Sequence, residues 1–129
     1  MQNFTKTVTV SKEDLDDLNH VNNVRYIEWV NSIAKAHWIE NASEKILDNH
    51  FWILLSHTID YKKPAFLKDE LLLKTYVLNA EGVTSTRIVE IYNNKTQVLL
   101  AKSQTKWCFI SSQTKKPSRI TEDILKLFS

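Results

Sequence analysis

The sequence predicts an α+β fold, one long helix laid against an antiparallel sheet, in the order β-α-β-β-β-β. Three observations carry this reading. Residues 24–40, VRYIEWVNSIAKAHWIE, hold no Gly or Pro and set Arg25, Glu28, Ser32 and Lys35 at three- and four-residue steps, one helical face. Four strand-like runs rich in Leu, Val, Ile, Thr and Tyr follow. A single glycine in the chain excludes the glycine-rich phosphate loops of nucleotide-binding folds.

Taken in order, NFTKTVTV near the start is a strand candidate. DLDDLNHVNN, Asp14 to Asn23, then packs three carboxylates, one imidazole and three carboxamides ahead of the helix. Acids and Asn are good capping chemistry at a helix start. The helix itself is apolar apart from its narrow polar stripe, so burial on most sides is expected over a length of roughly 25 Å. FWILLSHTIDY alternates, with Phe51, Ile53, Leu55, Ile59 and Tyr61 expected on one face. ELLLKTYVLN and TSTRIVEIYN come next, with Gly82 between them. Asn93-Asn94 marks a hairpin turn before QVLLAKSQTKWCFI, which carries Leu99, Ala101, Ser103, Thr105, Trp107 and Phe109 on one side. The small residues at 101, 103 and 105 allow the helix a close approach. TEDILKLF closes the chain as a short helix capped by Thr121. The second sheet face and the sheet edges need cover, which predicts a homo-oligomer.

The chain of 129 residues fits one domain, 1–129, and at 43% apolar and 25% charged residues it is globular in composition. The lone Cys108 makes no intrachain disulfide, so a cytoplasmic location is expected. MQNFTKTVTV lacks the apolar region of a signal peptide, and no apolar run is long enough for membrane insertion. Net charge is +2 with dispersed basic residues, which argues against nucleic acid as a partner. His37, His50 and His57 stand apart, without an H-E-x-x-H motif or a cysteine pair, so no metal site is expected. Ser56 and Ser103 lack the Gly-x-Ser-x-Gly elbow of serine esterases, and Cys108 reads as a small buried residue.

The pattern D-x-x-x-H-V-N-N-x-x-Y-x-x-W, here Asp16, His20, Val21, Asn22, Asn23, Tyr26 and Trp29, resembles the hotdog-fold thioesterases of the 4-hydroxybenzoyl-CoA thioesterase type. It is also similar to the plant acyl-ACP thioesterases. Two further blocks fit the resemblance in order: IDYKKPAFLKDEL from Ile59, and AKSQTKWCFISSQTKKPSRIT from Ala101. The resemblance implies one long central helix wrapped by a five-stranded antiparallel sheet. It implies paired subunits, a homodimer or a dimer of dimers, with the thioester at their boundary near the helix N-terminus. The implied activity is hydrolysis of an acyl thioester to a free acid and CoA. No metal or bound cofactor is required, and coenzyme A is part of the substrate. Three departures stand out: Asn19 where the family often has Gly, and Leu18 and Pro64 where the plant enzymes carry Asn and Glu. These favour a mechanism with a single carboxylate.

That carboxylate matches Asp16, as general base or as nucleophile, and the oxyanion donor matches backbone N–H groups near Asn23 and Val24. A helix N-terminus supplies such donors. His20 either polarises the thioester or holds the loop. Asn22 and Asn23 serve as cap and turn residues, with a substrate or water contact at Asn23 as the second reading. Tyr26 and Trp29 are acyl-pocket walls or core. Lys62, Lys63, Arg87 and the Lys115–Arg119 stretch are candidates to meet the CoA phosphates. Asp14 and Asp17 read as solvated loop acids. The rival functions are an acyl-ACP thioesterase, a non-catalytic acyl-CoA-binding module, and a hotdog dehydratase, whose His-Phe-Pro-Gly signature is missing.

Overall fold

The computed structural model describes residues 2–129. Strand β1 (Phe4–Thr9) is followed by a single 3-10 turn at Lys12–Asp14, then by α1 (Asn23–Asn41) and α2 (Glu44–Asn49). Strands β2 (His50–Tyr61), β3 (Glu70–Glu81), β4 (Thr84–Asn93) and β5 (Leu99–Ser111) come next, and α3 (Glu122–Lys126) ends the chain. All strand pairs are antiparallel, in one sheet of order β1-β3-β4-β5-β2. This is the hotdog arrangement expected from the sequence. Helix α2 was not foreseen. It starts where the Ser43 hydroxyl accepts a hydrogen bond from the Ile46 N–H at 3.2 Å.

Helix α1 buries Tyr26, Val30, Ile33, Ala34, His37 and Trp38, one stripe at three- and four-residue spacing. Several of its other apolar side chains stay outside: Ile27 is 37% and Ile39 50% exposed. The expectation of burial on most sides therefore fails for a single chain, because the sheet covers only one face of the helix.

The core divides in two. One cluster joins Tyr26, Val30 and Ile33 to Leu71, Leu73 and Val89 of the sheet. The other gathers Trp38 and Phe109 with Ile120, Ile124 and Phe128 from the end of the chain. Burying side chains of this size contributes about 1.5–3 kcal/mol each. Ala101, Ser103, Thr105 and Cys108 are buried, as read from the sequence.

Strand β2 departs from simple alternation. A bulge between Leu54 and Ser56 shifts its register against β5. Ile53 and Leu55 are left exposed, whereas Trp52 packs on the second cluster and Ile59 on the first. The face expected to hold Phe51, Ile53, Leu55, Ile59 and Tyr61 is thus broken in the middle, since one extra residue inverts the side-chain sense of everything beyond it. Gly82 opens the β3–β4 turn at φ 64°, a conformation glycine adopts without penalty.

Candidate active site

The polar segment ahead of α1 folds as a small closed loop. Leu15 and Val21 form an isolated antiparallel bridge, and the Asp16 N–H donates to the His20 carbonyl at 2.8 Å. Asp16 is thereby held opposite His20 across the loop. Its Oδ1 accepts from the N–H groups of Leu18 (2.9 Å) and His20 (3.1 Å), and Oδ2 has no partner among the described residues. Asn19 lies inside this turn at φ 62°, a left-handed angle that Asn tolerates better than most residues. The loop is pinned to the β2–β3 connection by the Val21 N–H, which donates to the Ala65 carbonyl at 3.0 Å. His20 meets the Phe66 ring edge-on at 5.3 Å. The first two sequence blocks of the resemblance are therefore neighbours in space.

Asn22 is the N-cap of α1, with its side chain accepting from the Val24 N–H at 2.9 Å. The Val24 amide is thus taken by the cap. The Asn23 N–H has no hydrogen-bond partner among the described residues, so of the two expected oxyanion donors it is the one left open. The Val24 side chain is 60% exposed.

Asp14, expected to be solvated, is buried. Its Oδ2 accepts from the Ser11 N–H (2.8 Å) and hydroxyl (3.1 Å), and its Oδ1 pairs with Arg25 Nε at 2.8 Å. The capping arrangement around the 3-10 turn draws it inward. Asp17 is exposed, as expected. Tyr26 is core, stacked edge-on with Trp29 (5.7 Å) and Tyr61 (5.4 Å), and burial pushes its phenol pKa up. Trp29 is half-buried against the same cluster. Lys62 and Lys63 lie exposed, their backbone N–H groups both donating to the Leu100 carbonyl.

Arg87 departs most from its expected place. It is 6% exposed and lies among the residues lining a cavity beside the second half of α1, rather than on the outer surface. Its Nη1 donates to His37 Nδ1 at 2.8 Å and to the Thr75 hydroxyl at 3.0 Å. Nδ1 is then the acceptor, so the proton of the neutral ring sits on Nε2, facing Gln2 Oε1 at 2.6 Å. Burial, and then the adjacent guanidinium, lowers the His37 pKa to about 4. Among the described residues no His, Cys, Asp and Glu side chains cluster as a metal site requires, and no helix is long and apolar enough to cross a membrane.

A closed acidic loop at the head of a sheet-covered helix, on a β1-β3-β4-β5-β2 sheet, defines the hotdog class. Residues 10–128 match the sequence profile of the Thioesterase-like superfamily, and the chain belongs to that family. No curated protein matches it. Among solved structures, a 1,4-dihydroxy-2-naphthoyl-CoA thioesterase from Synechocystis is similar at 19% identity and TM-score 0.83, over 97% of this chain and 94% of that one. The probable thioesterase YbaW from Escherichia coli is 22% identical at TM-score 0.83, over 95% and 94% of the two chains. A hypothetical protein from Staphylococcus aureus in complex with CoA is 18% identical at TM-score 0.86, over 98% and 81%. At these identities the structural matches establish the fold.

Proposed function

We propose that the protein is an acyl-CoA thioesterase in which Asp16 provides the reacting carboxylate. The observation that supports this reading is that the one segment leading into α1 carries both an Asp16 Oδ2 and an Asn23 N–H without hydrogen-bond partners among the described residues. Oδ2 takes a proton from water as the oxygen attacks the thioester carbonyl, or attacks the carbonyl itself to give an anhydride that water then cleaves. The Asn23 N–H steadies the charge developing on the carbonyl oxygen, and the thiol of CoA departs with a proton. His20 holds the loop and Lys62 meets a CoA phosphate. The CoA carrier is favoured by analogy with the CoA named for two of the similar structures.

The site is open in a single chain. Leu18, Val24, Phe66 and Leu67 are exposed apolar side chains from the loop, the helix start and the β2–β3 connection. A second copy covering them would complete the substrate crevice, and we take the working unit to be a homodimer in the cytoplasm.

The test is thiol release from a panel of acyl-CoAs and acyl-ACPs. Asp16→Asn is a clean variant, because the Asn Oδ1 keeps both loop hydrogen bonds and only the charge is lost. Its kcat is expected to fall about 100-fold or more. Release from no acyl-CoA, or an unaffected variant, overturns the proposal. A second reading, a non-catalytic acyl-CoA-binding module, draws on the structural use already made of Asp16 Oδ1. It predicts binding without turnover in both forms.

A further inference from the structure

A cavity of about 620 Å³ opens between the second half of α1 and the first half of β2, well within the size range of ligand sites. Trp38, Trp52, Trp107 and Phe128 form its apolar walls, and Arg87 lies among them. None of Asp16, His20 and Asn23 lines it.

Arg87 has no carboxylate within ion-pair distance among the described residues; the ion pairs there join Arg25 to Asp14 and Glu28, and Lys102 to Glu90. A buried cation without a counter-charge is costly, and proteins rarely leave one so. Both hydrogen bonds it makes use Nη1, which leaves the Nε and Nη2 hydrogens, the edge that grips a carboxylate in two parallel bonds, without partners. The guanidinium carbon lies over the Phe128 ring at 5.3 Å from its centroid, within cation–π reach. His50, another wall residue, has a buried Nδ1 with no hydrogen-bond partner, a second polar group awaiting one.

We propose that this cavity binds an apolar molecule ending in a carboxylate, with the carboxylate on Arg87 and the apolar body along the tryptophan walls. Neither part is accounted for by hydrolysis at Asp16. The two sources of such a group are the far end of a dicarboxylic acyl thioester and a free carboxylic acid. The proposal rests on the thioesterase reading only in the first case.

Three tryptophans in the walls make binding visible as a change in fluorescence. The protein is titrated with decanoate, with decanol and with methyl decanoate, as wild type, Arg87→Gln and Asp16→Asn. Gln keeps donors for His37 and Thr75 without the charge. Wild type is expected to bind decanoate at least tenfold more tightly than either neutral analogue. Arg87→Gln is expected to lose that preference while holding decanol as before, and Asp16→Asn to keep it. Equal affinity of wild type for acid and alcohol overturns the proposal, and so does a preference that survives in Arg87→Gln. These measurements need no turnover, so their failure is separate from failure of the hydrolase reading. Hydrolysis of sebacoyl-CoA and decanoyl-CoA then identifies the source. A tenfold higher kcat/KM for sebacoyl-CoA that disappears in Arg87→Gln places the carboxylate on the acyl group. Equal rates beside selective decanoate binding assign the site to a free acid.

Discussion

The His37 side chain, fully enclosed and with Arg87 donating to it, must stay neutral for the network to persist. Its folded pKa of about 4 lies below the ordinary value of 6.5. Above pH 6.5 both folded and unfolded forms are neutral, and the contribution to stability is intact. Between 6.5 and 4 the unfolded chain takes up a proton that the folded ring refuses, so stability falls as pH falls. Below about 4 the loss is complete. The slope is about 1.4 kcal/mol per pH unit, with a total of at most about 3 kcal/mol. Urea denaturation of wild type and His37→Gln across this range checks it. The difference between the two is expected to change by this amount between pH 7 and pH 4 and to be flat above pH 7.

At the scale of elements, the start of α1 rests on one side chain. Asn22→Ala removes the acceptor for the Val24 N–H and is expected to cost about 1 kcal/mol, readable as a lower denaturation midpoint. It also frees a second amide beside Asn23. Such local features are legible in a sequence, because the interacting groups are a few residues apart: the Asn22 cap, the turn at Asn19 and the bend at Gly82 follow from residue chemistry alone. The five-stranded antiparallel sheet wrapped on one helix was legible through the motif around Asp16, whereas the order of strands across the sheet was not, being set by pairings between residues far apart in the chain. The β2 bulge was not, since the run from Phe51 to Tyr61 alternates acceptably in either register and only pairing with β5 selects one. The pairing of Arg87 with His37 was not legible either. The two are 50 positions apart, on a strand and a helix, and an arginine in a strand reads as surface charge until the sheet's inner face is known. Asp14 is a different case: the spacing of Ser11 and Asp14 is a local capping signal that could have shown it turned inward, and only its ion pair with Arg25 lies beyond the loop.

For the whole molecule, part of the uncovered apolar surface falls on the edge strand and the long helix. Strand β2 ends the sheet order, and Ile53, Leu54 and Leu55 along it are exposed together with Ile27 and Ile39 of α1. A free strand edge with apolar helix positions exposed is the kind of surface a second copy would cover, which makes association a prediction. Light scattering behind size exclusion is expected to report a dimer or a higher even assembly. Ile53→Lys is expected to shift it toward monomer and, with the substrate crevice opened, to reduce thioester hydrolysis at least tenfold. A monomeric wild type would remove the shared site from the mechanism.

The two ends of the chain meet over the same histidine. The Gln2 N–H donates to the Phe128 carbonyl at 3.2 Å, while Gln2 Oε1 and the Phe128 ring both rest on His37. Ends held this close can be spliced by a short linker, with new termini opened in the exposed Lys95–Gln97 bend. A circularly rearranged version would fasten to one another the two segments that meet on His37, and a purification tag would then sit on the bend between β4 and β5, whose residues do not line the cavity.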